Sequence, residues 1–196
     1  MANRKTGKEY RSRRRKSPVR VIFGWIAFII VFLLLLFAAV PLVGASMRVT
    51  DGAMSPSLNI GDSVAVNHIA YLLFRPKRGD VIQFGSSDRS QDAGGHETMY
   101  IRRVIGLPGE TVQIMDGTVY INGYPLDENY AAGVISYGGI ASAQLTLDND
   151  EYFVMADNRS NNFDSRDSTV GPITRDSIRG KVWLKFLPFD QIGLVK

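Results

Sequence analysis

Hydrophobic and polar positions divide this chain into two unlike parts. No charged residue occurs from Val21 to Met47, and the stretch Ile26–Val40 is almost wholly Ile, Val, Leu, Phe and Ala. A helix crossing a hydrocarbon core of ~30 Å needs about 20 apolar residues, so the run predicts one transmembrane anchor over 21–47. It is also longer than the ~7–15 apolar residues of a cleavable secretory signal. Val43-Gly44-Ala45 offers a small-residue cleavage site, but the expectation is an uncleaved anchor. Beyond residue 47 no long segment keeps a 3.6-residue period. Short alternating or β-branched runs occur instead at Ser63–Asn67, Asp80–Phe84, Tyr100–Ile105, Thr111–Met115, Thr118–Ile121, Tyr152–Met155 and Lys181–Phe186. Asp116-Gly117 between two of them is a type I′ hairpin signal, and Asn122-Gly123 marks another turn. Many short strands with Gly-rich turns predict an all-β domain over 48–196, of sandwich or barrel type.

Two segments rich in Ser, Gly and Ala, Gly85–Gly95 and Tyr130–Leu145, read as mobile loops. The apolar patch Ile69-Ala70-Tyr71-Leu72-Leu73-Phe74 has two readings. It is either a buried strand or short helix, or a surface dipping into the outer leaflet with Tyr71 and Phe74 at the interface.

Charge sharpens the picture. Residues 1–20 hold nine Lys/Arg and one acid, a net +8, and the other 176 residues carry 14 basic against 18 acidic groups, a net −4. A tail this basic beside an apolar helix holds the N-terminus in the cytoplasm and places the β domain outside. The polar, basic residues 1–15 read as disordered. Basicity confined to a tail argues against nucleic acid as a partner. The chain has no cysteine and only two histidines, which excludes a thiolate nucleophile and leaves a poor metal site. No phosphate-cradling loop is present, and no cofactor is expected.

Four stretches carry more specific information. They are Val49-Thr50-Asp51-Gly52-Ala53-Met54-Ser55-Pro56-Ser57-Leu58 with Gly61-Asp62; Pro76-Lys77-Arg78-Gly79-Asp80-Val81-Ile82; Tyr100-Ile101-Arg102-Arg103-Val104-Ile105-Gly106-Leu107-Pro108-Gly109-Glu110; and Ala156-Asp157-Asn158-Arg159-Ser160-Asn161-Asn162-Phe163-Asp164-Ser165-Arg166. Gly106 to Gly109 ends a strand with residues suited to a sharp turn. Asp164 and Arg166, like Asp157 and Arg159, are opposite charges two apart, which an extended segment would set on one face as an ion pair. In this order, behind a basic anchor, the stretches resemble the boxes of bacterial type I signal peptidases, G-x-S-M-x-P-T-L, R-G-D-V-V, Y-I-K-R-V-I-G-L-P-G-D and G-D-N-R-x-x-S-x-D-S-R.

That resemblance implies a serine nucleophile and a neutral lysine base whose pKa burial has lowered. At those two positions this chain has Ala53 and Arg102. Alanine has no oxygen to attack a carbonyl, and a guanidinium does not give up its proton near neutral pH. Asn162 stands where the family has a serine that orients the lysine, Ala156 replaces a glycine, and Asp51 lies beside the expected oxyanion site. No lysine lies between Lys77 and Lys181, and His96 is six residues from position 102. Ser57 occupies a threonine position that is not nucleophilic in the family, which leaves Ser55 as the stand-in nucleophile.

The resemblance also implies a groove lined by Asp51, Met54, Ser55, Pro56 and Asn162, with Arg103, Gly106, Pro108, Gly109, Asp157, Arg159, Asp164 and Arg166 as framework. Arg102 needs a counterion, and Asp51 is the nearest candidate in the motifs. The leading functional expectation is a membrane-anchored, catalytically inactive homologue. It would bind an exported or surface protein segment, a pilin among the candidates, as an assembly factor or chaperone, or serve as a partner of an active signal peptidase. The second is an active signal peptidase cleaving preproteins after small residues with a displaced nucleophile.

Overall fold

The computed structural model describes residues 18–43, 45–86, 98–161 and 163–195. Helix α1 spans Pro18–Val43, with proline in the first turn, where its missing N–H costs no hydrogen bond. Its side chains are described from residue 22 to 35 and are exposed, and Phe28 and Phe32, one turn apart, stack at 6.4 Å. Among the described residues no helix is long and apolar enough to cross a membrane. The transmembrane anchor expected over 21–47 is therefore unsupported here. Its last residues are not helical, because Ala45–Arg48 forms strand β1 and pairs with β2 (Ser63–Asn67), Ala45 opposite Val66.

The rest of the chain is mostly antiparallel β-sheet. Its further strands are β3 (Val81–Ser86), β4 (Thr98–Gly106), β5 (Thr111–Met115), β6 (Thr118–Ile121), β7 (Tyr124–Pro125), β8 (Leu145–Thr146), β9 (Glu151–Met155), β10 (Ile173–Thr174), β11 (Ile178–Leu187) and β12 (Gly193–Leu194). The larger sheet runs β1-β2-β11-β3-β4-β9-β10, with β12 also on β11, and the smaller runs β7-β6-β5-β8. Asp116 and Gly117 both have positive φ, 49° and 74°, which the β5–β6 hairpin needs at its two central positions. The all-β expectation holds for this part of the chain.

Alternation gives the large sheet two buried faces. Val81, Ile101, Val64, Val66 and Val182 meet Met54 and Leu58 on one face, while Ile82, Phe84, Val104, Tyr152 and Val154 pack on the other. The small sheet closes a third cluster through Ile105, Val112, Val119, Phe153 and Met155. Ile135 and Ala141 join that cluster, so the segment Tyr130–Leu145 is anchored in the core and not the loose loop its composition suggests. Of the other expected loop, residues 87–97 lie outside the described residues, and Gly85 and Ser86 belong to β3.

The apolar patch resolves into helix α2 (Ala70–Leu73). Tyr71 turns inward, its hydroxyl donating to Asp80 Oδ2 at 3.0 Å, and burial raises that hydroxyl's pKa above the ordinary tyrosine range. Leu72, Leu73 and Phe74 point to solvent, at 78%, 75% and 67% exposure.

Gly106 follows a packing rule and not a turn rule. A Cβ there would lie 2.7 Å from Val112 Cγ2, 2.8 Å from Leu147 Cδ1 and 2.9 Å from Phe153 Cβ. Gly109, at φ 79°, supplies the turn. Gly106→Ala is expected to destabilise the chain by about 1–3 kcal/mol through overpacking, measured as a lower urea midpoint at unchanged slope.

Candidate functional site

Residues 49–58 follow β1 as a folded turn. Leu58 N–H donates to Met54 O at 2.8 Å and Ser55 N–H to Gly52 O at 3.3 Å. Met54 and Leu58 are fully buried, so apolar burial fixes the turn to the large sheet. Asp51 and Ser55 are half-buried at its surface, and Pro56 is exposed. The Ala53 methyl is buried, its carbonyl accepts from Asn158 N–H at 2.9 Å, and its own N–H reaches Asp51 Oδ1 at 3.2 Å.

Strand β4 carries two adjacent buried arginines on opposite faces. Arg103 Nε donates to Asp157 Oδ1 at 2.7 Å and Nη2 to Oδ2 at 2.6 Å, while Nη1 reaches Gly79 O at 2.8 Å. The Ser57 hydroxyl donates to the same Asp157 Oδ2 at 2.6 Å and accepts from Arg103 at 3.3 Å. Ser57 is thereby committed to the framework. Arg102 donates through Nε to Phe163 O at 2.9 Å and through Nη1 to Ile101 O at 2.6 Å. Its ion pair is with Asp51, Nη1 to Oδ2 at 3.2 Å, with side-chain exposures of 1% and 40%. The structure thus joins Asp51, Ala53 and Arg102, as the counterion argument expects.

The loop after β9 (residues 156–166) closes the site. Asp164 pairs with Arg166 at 2.8 and 2.9 Å, but not because the segment is extended. Asp164 Oδ1 also accepts the Arg166 N–H at 3.0 Å, and Oδ2 the Ala156 N–H at 2.9 Å, so the carboxylate folds the loop around itself. Asp157 and Arg159 do not pair. Arg103 has taken Asp157, and Arg159 reaches Glu128, Nη1 to Oε2 at 2.9 Å and Nη2 to Oε1 at 2.5 Å. Glu128 escapes sequence reasoning because it lies outside every motif. Tyr130 beside it stacks under Arg103 at 4.2 Å. Burial, and then the Glu128 carboxylate, raise the Tyr130 hydroxyl above the usual tyrosine pKa.

Of the remaining candidates, Ser55 donates to Asn59 Oδ1 at 3.0 Å, within its own turn. Gly106, Pro108 and Gly109 stand at the far end of β4 and shape the fold. Asn162 and His96 lie outside the described residues. No group of three or more His, Cys, Asp or Glu that could hold a metal occurs among the described residues.

Removing one member of a fully buried ion pair strands the other's charge, at about 3–5 kcal/mol. Asp157→Ala is expected to lower stability by that amount in urea unfolding. Asp127→Ala, at an exposed position, should change it by less than about 0.5 kcal/mol.

The family described as Signal peptidase, peptidase S26, matches residues 22–187. The chain is 30% identical over 193 residues to "Signal peptidase I P" of Bacillus subtilis subsp. natto, covering 95% of this chain and 98% of that one. It is 33% identical over 153 residues to "Probable signal peptidase I-2" of Synechocystis sp., covering 78% and 67%. The crystal structure of a signal peptidase I from Enterococcus faecalis V583 is 31% identical, with a TM-score of 0.42 over 56% of this chain and 97% of that chain. These names correct the leading functional expectation. The Bacillus and Synechocystis relatives are both named as signal peptidase I and neither as an assembly factor or chaperone, which favours the peptidase reading over the inactive homologue. The chain belongs to the signal peptidase family, peptidase S26.

Proposed function

We propose that this chain cleaves signal peptides from exported preproteins after small residues, using a nucleophile displaced from residue 53. The observation that carries the reading is likeness to named signal peptidases across almost the whole chain. Ala53 and Arg102 stand at the family's nucleophile and base positions, and both are chemically unfit for those roles. The reading therefore requires another oxygen. Ser55 is the candidate, two residues along the same turn, half-buried, with its hydroxyl donating to Asn59 Oδ1 within that turn. Ser57 is excluded by its bonds to Asp157 and Arg103. No lysine occurs between Lys77 and Lys181, so the base is not a lysine of β4 or of the loop after β9.

In the same proposal α1 anchors the chain once in the cell membrane, its basic tail inside and the β domain outside, where preproteins emerge. The charge-free run Val21–Met47 and the nine flanking cations support this orientation. Exposed Leu72, Leu73 and Phe74 suit contact with the lipid surface. Protease added outside intact cells should then degrade the β domain and leave the N-terminal tail protected, and protection of the β domain would overturn the topology.

The purified chain in phospholipid vesicles should cleave a preprotein carrying an Ala-Xaa-Ala site. Ser55→Ala should reduce kcat/KM by about 10³ or more. A native chain that leaves the preprotein intact, beside an Ala53→Ser/Arg102→Lys variant that cleaves it, overturns the displaced nucleophile.

A further inference from the structure

Asp51 is held in an unusual way. Its two carboxylate oxygens engage donors from two separate elements, Oδ1 on the Ala53 N–H and Oδ2 on Arg102 Nη1, both at 3.2 Å. Charge-assisted contacts ordinarily close to about 2.7–2.9 Å. The neighbouring pairs do so, Arg103 with Asp157 at 2.6 and 2.7 Å and Arg166 with Asp164 at 2.8 and 2.9 Å. Exposure is equally lopsided, 40% for the Asp51 side chain against 1% for Arg102. The carboxylate can turn out into water, where it is well solvated. The guanidinium cannot follow, because Phe163 O and Ile101 O hold it at 2.9 and 2.6 Å.

We propose that Arg102 and the Ala53 N–H form a receptor for the C-terminal carboxylate of a peptide ending in a small residue, and that Asp51 fills it in the free protein. The proposal rests on the reading that this site handles signal-peptide segments. Cleavage there creates a free carboxylate at the small residue that had preceded the scissile bond. Arginine remains charged, and an uncompensated buried charge is costly, so Asp51 leaves only when another anion arrives. A carboxylate fits the donor set, since Asp51 itself spans both donors with two oxygens. The occupant is then the released signal-peptide fragment, held by its new end.

An intramolecular carboxylate competes at roughly millimolar effective concentration, so the native chain should bind such a fragment weakly. The test is fluorescence anisotropy of a labelled peptide ending in Ala-Xaa-Ala, as free acid and as C-terminal amide, against the full chain in detergent. Asp51→Asn should bind the acid at least about tenfold more tightly than the native chain does, with amide binding unchanged. Arg102→Gln added to Asp51→Asn should erase the preference for the acid. Arg102→Lys in the same background should keep part of it, which separates loss of the receptor from loss of the fold. Equal binding of acid and amide by Asp51→Asn, or binding of neither, overturns the receptor. Preprotein cleavage is followed in the same preparations. Acid preference without cleavage defeats the peptidase reading alone, and cleavage without acid preference defeats the receptor alone.

Discussion

The buried pair of Arg103 and Asp157 is the contact on which the site's geometry depends. Both side chains are withdrawn from water, at 1% and 0% exposure, where two charges survive only with close geometry and satisfied hydrogen bonds. They have both. The carboxylate receives two guanidinium nitrogens and the Ser57 hydroxyl, and the guanidinium spends a third nitrogen on Gly79 O. One ion pair thereby ties together β4, the approach to β3, the loop after β9 and the turn at 49–58. Slippage of any of these would strand a charge in the interior. The distance between Ala53 and Arg102 is consequently a property of the framework.

Arg102, one residue earlier, shows what happens when the same group meets a looser environment. It lies on the opposite face of β4, and its counterion is a half-exposed aspartate at 3.2 Å. The bonds to Phe163 O and Ile101 O satisfy donors without cancelling charge. Sequence chemistry identifies both residues as cations on a strand, and only burial and partners separate a structural arginine from one facing the site.

Legibility followed the range of the interaction. Ser63–Asn67, Thr111–Met115 and Thr118–Ile121 are strands at the expected positions because alternation and a two-residue turn are local signals. The strands β7, β8, β10 and β12, each two residues long, carry no period to detect. Composition misled at Tyr130–Leu145, where Ile135 and Ala141 reach the core from a Gly- and Ser-rich segment. In the site, Asp51 with Arg102 was legible because an obligatory cation demands an anion and the motifs offered one. Arg159 with Glu128 was not, since the partners are 31 residues apart and nothing local marks Glu128. The Asp157–Arg159 spacing gave a false pair because a neighbouring strand supplied a stronger competitor for the carboxylate.

A buried lysine can relieve desolvation by releasing its proton, but an arginine cannot. With Arg102 at this position a carboxylate must stay within reach, and the one that does so also takes the Ala53 N–H. Developing negative charge at this turn would find its nearest backbone donor already engaged and a formal charge beside it, which opposes the preorganised stabilisation that acyl transfer requires. Any chemistry here, whichever oxygen attacks, must therefore begin by displacing Asp51. Arg102 would remain behind as a fixed cation whose field favours whichever anion arrives, the transition state or the released carboxylate.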